Sequence, residues 1–175
     1  AGLVSLATDE ATRTILAGKR PEIMITALAE GAGEADSVAA AVEGKAAIVM
    51  GPGMGASEGT RRIVRCVLAS GACPVVLDAD ALNVFAGSAE TLCDAASPCI
   101  LTPHPGELAR LLGCDAATVQ GDRPGAARAL ASPGGLEACC CCARRRWCPI
   151  VGAPRAAQRD LAFALPRKPN VVCPV

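Results

Sequence analysis

The feature that most constrains the fold is a regular alternation of short apolar segments with longer amphipathic ones. The apolar segments are too short to be helices, and they lie at residues 2–7, 22–26, 46–50, 74–77 and 99–101. Segments with apolar residues at helical spacing separate them, the clearest between residues 57 and 71. This alternation is typical of βαβ units, and strands that are apolar throughout are typical of sheets covered by helices. We therefore predict an α/β fold with a mainly parallel central sheet.

Residues that favour helix ends mark the boundaries of the predicted helices. The predicted N-caps are Thr8, Asp36 or Ser37, Ser57 and Asp122, and the predicted terminal glycines are Gly18, Gly44 and Gly71. Short helical segments are also predicted after residue 83, up to about residue 96. Further helices are predicted at residues 107–112 and from Pro124 to about residue 131.

Composition narrows the class of protein. The chain has 175 residues, enough for one domain with a core, and its formal net charge is zero. With two phenylalanines, one tryptophan and no tyrosine, a base-stacking surface is not expected, and we predict no nucleic-acid partner. No apolar run approaches the roughly 20 residues of a membrane span, and no signal peptide is apparent. Five scattered cysteines without a disulfide framework favour the cytoplasm: Cys66, Cys73, Cys93, Cys99 and Cys114.

Three unusual loops each come directly after a predicted strand. They read "GPGMG" at residues 51–55, "DADALN" at residues 78–83 and "TPHPGE" at residues 102–107. In open parallel sheets, ligands bind outside the carboxyl ends of the strands. If the three strands are neighbours, the loops converge on one crevice, and that crevice is the predicted binding site.

The first two loops each allow two interpretations. "GPGMG" either presents backbone amides to a phosphate at a helix N-terminus or simply forms a tight turn. In "DADALN", Asp78 and Asp80 either hold a metal or a substrate hydroxyl, or Asp80 caps the next helix.

The third loop carries the only histidine of the chain, His104. Pro103 and Pro105 stiffen the backbone on either side of it, which favours presentation of the imidazole to a ligand. Gly106 permits close approach, and Glu107 lies in the first turn of the predicted helix. The alternative is a structural histidine that hydrogen-bonds locally. The neighbouring strand-end loops favour the ligand-binding interpretation.

In order and spacing, "VMGPGMG", "VVLDADALN" and "ILTPHPGELARLLG" resemble the ADP/ATP-dependent NAD(P)H-hydrate dehydratases. The resemblance implies a truncated ribokinase-like three-layer αβα sandwich. It also implies repair of the hydrated cofactors NADHX and NADPHX, with ATP or ADP and Mg²⁺ as cofactors. The implied substrate-binding residues are Gly53, Gly55, His104, Pro105, Gly106, Glu107 and Arg110. Asp78, Asp80 and Asn83 would support the floor of the site. A homo-oligomer is left open.

Two departures from the family suggest a chain that is incomplete at both ends. An earlier strand with a Gly-rich loop is absent before residue 1, and no Gly-[Ser/Thr]-Gly-Asp motif follows residue 131. The aspartate of that motif is the family's expected catalytic base, so the catalytic residue here is unassigned. We therefore expect impaired dehydratase activity.

The last residues differ abruptly from the rest. We predict a partial dehydratase domain at residues 1–132 and an anomalous Cys/Arg/Pro-rich tail at residues 133–175, for which a shifted reading frame is the leading hypothesis. An alternative is a non-catalytic zinc-binding module whose ligands would be Cys139, Cys142, Cys148 and Cys173. A second alternative for the whole chain is a ribokinase-like kinase for a small alcohol.

Overall fold

The computed structural model describes residues 3–131 and 137–138. In chain order the strands are β1 Ser5–Thr8, β2 Met24–Ala27, β3 Ile48–Met50, β4 Val75–Leu77, β5 Cys99–Leu101 and β6 Glu137–Ala138. The α-helices are α1 Glu10–Lys19, α2 Glu34–Val42, α3 Glu58–Ser70, α4 Ala79–Asn83, α5 Pro105–Leu112, α6 Ala116–Gly121 and α7 Arg123–Ala131. Short 3-10 helices span Gly31–Gly33 and Ala89–Asp94. None of the described helices is long and apolar enough to cross a membrane.

Every strand pair in the described residues is parallel, as predicted. β3, β4, β5 and β6 form a four-stranded sheet in that order, and β1 pairs with β2. The register aligns Met50, Leu77 and Leu101 across the sheet. Within the described part of the chain, β1–β2 is a separate sheet, which differs from the single central sheet that the alternation predicts.

The core lies where α3 packs with the four-stranded sheet. Val64, Val67 and Leu68 of α3 belong to one buried apolar cluster that includes Val75 and Leu77 of β4. Their spacing places them on one face of the helix, which explains why this segment is the clearest helical pattern in the sequence. Burial of this face holds β4, and with it the loop after β4, in place.

Two helix N-termini differ from their predicted positions. Asp9, rather than Thr8, caps α1, because its carboxylate accepts a hydrogen bond from the Thr12 amide (2.8 Å) while Thr8 belongs to β1. α2 begins at Glu34, so neither Asp36 nor Ser37 is its cap.

The start of α2 is fixed by an ion pair with α3. Both carboxylate oxygens of Glu34 accept from Arg62, from Nε at 3.0 Å and from Nη2 at 3.1 Å. Glu34 is buried, and its hydrogen bonds to the guanidinium lower the pKa of its carboxyl. This contact, rather than a capping side chain, ties the first turn of α2 to the rest of the fold.

The remaining helix boundaries are partly as predicted. Ser57 caps α3 through the Thr60 amide (3.0 Å), and Gly71 ends α3 in a left-handed conformation. Asp122 accepts from the Gly125 amide (2.8 Å) at the start of α7, as expected. α1 continues through Gly18 to Lys19, α5 begins two residues earlier than predicted, and α6 was not predicted.

Candidate binding site

The three strand-end loops meet at one edge of the sheet. β3, β4 and β5 are adjacent and parallel, so their carboxyl ends point the same way. One long-range hydrogen bond joins the first two loops, and a second joins the central loop to α5, the helix that follows the third loop. Asp80 Oδ2 accepts from the Gly55 amide (2.8 Å), and Asn83 Oδ1 accepts from Arg110 Nη1 (3.1 Å). The predicted convergence is therefore confirmed.

The glycine loop is a tight turn. The Met54 amide donates to the Gly51 carbonyl (3.1 Å), with Pro52 second and Gly53 third in the turn. Gly53 has φ +75°, as a type II turn requires at this position. The Met54 and Gly55 amides are thus already hydrogen-bonded, and neither is available to cradle a phosphate. Of the two interpretations of this loop, the tight turn therefore describes the Met54 and Gly55 amides.

The open side of this loop faces away from the protein. A Cβ built at Gly53 or Gly55 would meet nothing within 4 Å, and both glycines have positive φ. Gly51 is the opposite case, because a Cβ there would lie 1.7 Å from the carbonyl oxygen of Asp78. This close approach was not predicted from the sequence, although a glycine at a strand end is a signal for it.

The central loop turns sharply into α4. Asp78 is the N-cap residue but makes no side-chain capping bond, and Ala79 has φ +45°, which is unusual for a residue with a side chain. The prediction that Asp80 caps α4 is wrong, because its carboxylate reaches back to Gly55 instead. In the described residues no group of three His, Cys, Asp or Glu side chains could hold a metal ion. The metal interpretation of Asp78 and Asp80 therefore lacks a ligand set there.

α3 holds α4 from its other end. Arg61 Nη1 donates to the carbonyl oxygen of Val84, the C-cap residue of α4, at 2.8 Å. The helix is therefore bonded to the glycine loop, to α5 and to α3. A helix of five residues is too short to be stable by itself, so these contacts fix its position.

His104 is the N-cap residue of α5. Its Nδ1 accepts from the amides of Gly106 (3.0 Å) and Glu107 (3.3 Å), while Glu107 Oε2 accepts from the His104 amide (2.8 Å). This reciprocal pair is a capping box, and Pro105 occupies the first helical turn. Because Nδ1 is an acceptor here, the neutral ring carries its proton on Nε2.

The local hydrogen bonding of His104 leaves much of its ring accessible. Its side chain is 58% exposed, whereas that of Glu107 is 8% exposed. Nε2 lies 3.2 Å from Glu107 Oε1. Arg110, one turn further along α5, is exposed and keeps further N–H donors besides the one bonded to Asn83.

Cys99, the first residue of β5, is not suited to nucleophilic chemistry. Cys99 is buried, and burial raises the pKa of its thiol to about 11. Its Sγ donates to the Ser97 carbonyl (3.2 Å). We interpret it as a packing residue. The proposed zinc ligands Cys139, Cys142, Cys148 and Cys173 lie outside the described residues.

Comparison with known proteins identifies relatives of this architecture. A family model described as NAD(P)H-hydrate dehydratase matches residues 1–134. The chain is 41% identical over 129 residues to the bifunctional NAD(P)H-hydrate repair enzyme Nnr of Moorella thermoacetica, which covers 70% of this chain and 24% of that protein. It is 54% identical over 61 residues to the ADP-dependent (S)-NAD(P)H-hydrate dehydratase of Neisseria meningitidis, covering 34% of this chain and 21% of that protein.

A solved structure shares the fold. The ADP/ATP-dependent NAD(P)H-hydrate dehydratase of Bacillus subtilis, co-crystallised with ATP/Mg²⁺, matches with a TM-score of 0.62 and 28% identity, over 81% of this chain and 49% of that one. The chain thus spans about a quarter of the repair enzyme and about half of this structure. The predicted ribokinase-like fold is confirmed. The chain belongs to the NAD(P)H-hydrate dehydratase family.

Proposed function

We propose that the chain binds NAD(P)HX at the edge formed by the loops after β3, β4 and β5. In this role it supplies the substrate-binding half of an ADP- or ATP-dependent NAD(P)H-hydrate dehydratase. The observation that carries the proposal is a pair of bonds: Asp80 to Gly55 fixes the first two loops against each other, and Asn83 to Arg110 fixes the central loop against α5, which begins at the end of the third loop. A site whose parts are held in place before the ligand arrives loses less free energy in ordering on binding.

The chemistry of each loop suits a different part of a dinucleotide. The open faces of Gly53 and Gly55 allow a flat ring or a ribose to lie against the backbone. The guanidinium of Arg110 can donate to hydroxyl or phosphate oxygens, and the exposed ring of His104, whose Nε2 lies 3.2 Å from Glu107 Oε1, offers a flat face for packing against the substrate. The amides of Gly106 and Glu107 hold the imidazole, Pro105 begins α5 beside it, and Asp78, Asp80 and Asn83 would support the floor of the site, Asp80 through Gly55 and Asn83 through Arg110.

The glycine loop does not cradle a nucleotide phosphate with its last two amides. The Met54 and Gly55 amides are already hydrogen-bonded, and the described residues include no group of three His, Cys, Asp or Glu side chains that could hold a metal ion without the phosphates of a nucleotide. The Bacillus subtilis relative was co-crystallised with ATP/Mg²⁺. We infer that the nucleotide phosphates would be held by groups other than the Met54 and Gly55 amides, and we assign no reaction step to the nucleotide or the metal here.

The carboxylates of the three loops do not reproduce the family's expected base. Dehydration by phosphoryl transfer needs a base on the substrate hydroxyl. Asp80 is bonded to Gly55, and Glu107 is buried and bonded to the His104 amide. Asp78 makes no side-chain capping bond, but it lies on the loop after β4 and not in the motif that carries the family's aspartate. The sequence contains no Gly-[Ser/Thr]-Gly-Asp motif. Catalysis by this chain should therefore be impaired even where substrate binding is intact.

The test is calorimetric titration of the full chain with NADPHX, using two His104 variants. His104→Asn keeps a side-chain acceptor suited to the N-cap but removes the imidazole, while His104→Ala removes both. If the ring contacts the substrate, both variants bind more weakly by about 1–3 kcal/mol. If His104→Asn binds NADPHX as tightly as the wild type, His104 acts only as a helix cap. If the wild-type chain does not bind NADPHX, the proposal is refuted.

A further inference from the structure

The last residue of the glycine loop, Gly55, has an unusual tether. Met54, just before it, is held on both sides, because its amide donates to the Gly51 carbonyl and its own carbonyl accepts from Thr60 Oγ1 (2.8 Å). Gly55 has φ +71° and is exposed, and its amide donates to Asp80, 25 residues away. Asp80 is thus the link between this end of the loop and the neighbouring strand.

The backbone before Asp80 is shaped for this link. Ala79 has φ +45°, a conformation that residues with a side chain rarely adopt. Sharp conformations of this kind persist when the surroundings enforce them, and they occur often at functional sites. Here α4 begins at Ala79, one residue before Asp80. The side chain of Asp80 bonds to Gly55 in the adjacent loop and does not cap the N-terminus of α4.

We propose that Asp80 is a positioning residue for substrate binding. By accepting from the Gly55 amide, it holds Gly53 and Gly55 in the conformation whose open faces receive NAD(P)HX. The proposal rests on the proposed function, since it takes the glycine loop to be part of the substrate site. This role requires a side-chain oxygen at position 80 that can accept the Gly55 hydrogen bond. The negative charge of the aspartate is less important than the position of that oxygen.

The test compares Asp80→Ala, Asp80→Asn and Asp80→Glu in the full chain, with Asp36→Ala as the control. Asp36 is an exposed aspartate of α2. The first measurement is amide hydrogen exchange of Gly55 by NMR. We expect exchange about tenfold faster in Asp80→Ala, and near wild type in Asp80→Asn and in the control. The second is NADPHX affinity, expected to fall about tenfold in Asp80→Ala and to recover to within about threefold in Asp80→Asn.

Each result bears on the proposal. Unchanged Gly55 exchange in Asp80→Ala, or an Asp80→Asn variant as weak as Asp80→Ala, would overturn it. A loss of stability in Asp80→Ala with unchanged affinity would show a purely structural role. If Asp80→Ala does not fold, Asp80→Glu decides, because its longer side chain should shift the Gly53 and Gly55 resonances and weaken binding, whereas a wild-type spectrum would contradict the proposal. A wild-type chain that binds no NADPHX refutes the proposed function, and Gly55 exchange still decides whether Asp80 positions the loop.

Discussion

Replacing Gly51 by alanine tests how tightly β3 and β4 are packed at the edge of the site. A Cβ at this position would lie 1.7 Å from the carbonyl oxygen of Asp78, whereas real Cβ atoms essentially never come within 3.0 Å of another heavy atom. The Asp78 amide also donates to the Met50 carbonyl (3.1 Å), so the two strand ends cannot move apart without losing that bond. The new methyl group therefore has no simple way to be accommodated.

The expected cost has two parts. Forcing an extra carbon into a packed region costs about 1–3 kcal/mol. The φ of Gly51, +132°, is strained for an alanine and adds about 1–3 kcal/mol. Together these reach about 4 kcal/mol, a large share of the roughly 5–15 kcal/mol by which domains are stable. We expect Gly51→Ala to be largely unfolded or to have a much lower urea midpoint.

Gly44→Ala is the matched control for this experiment. Gly44 has φ +66°, and a Cβ there would meet nothing within 4 Å, so only backbone strain of about 1–2 kcal/mol applies. Urea unfolding followed by circular dichroism gives both free energies of unfolding. A Gly51→Ala variant no less stable than Gly44→Ala would refute the packing described for this edge.

Three further predictions address strain, pH and activity. Ala79→Gly should not destabilise the chain, because glycine relieves the strain at φ +45°, whereas Ala40→Gly in the last turn of α2 should cost about 0.5–1 kcal/mol in urea unfolding. Arg62 lowers the pKa of Glu34, so the ion pair stabilises the fold above the ordinary glutamate pKa and loses its effect as the pH falls through the lowered pKa. The stability difference between wild type and Glu34→Gln should therefore shrink below pH ~4. In an assay of NADPH absorbance recovered from NADPHX with nucleotide and Mg²⁺, activity should be about 10²–10⁴-fold below that of a full-length family member; comparable turnover would reveal a base elsewhere in the chain.

The overall plan of the fold could be predicted because it depends on local patterns and chain direction. Apolar strands alternating with helices imply parallel pairing, and parallel pairing of β3, β4 and β5 places their carboxyl ends at one edge. Ser57 and Gly71 were predicted correctly because each acts within its own helix end. The juxtaposition of the three loops follows from the same reasoning.

Contacts between distant residues could not be predicted in this way. Asp80 can cap a helix or reach another loop, and only the tertiary structure brings its carboxylate to Gly55. Thr8 and Asp9 are both good caps, and the choice depends on β1 pairing with β2 through Thr8. Gly51 is required by a carbonyl on the next strand. The roles of the site residues in binding NAD(P)HX and the domain boundary near residue 132 stay predictions, and sequencing of the encoding DNA tests the shifted reading frame.

The most direct test of the substrate site is an NMR titration of the ¹⁵N-labelled full chain with NADPHX. We predict that the largest amide shifts occur in the strand-end loops, at Gly53, Gly55, His104 and Gly106, and that all of them fit a single dissociation constant. Shifts confined to another surface, such as the depression beside Arg13 and Arg20 on α1 and β2, would contradict this prediction, as would a spectrum that NADPHX leaves unchanged.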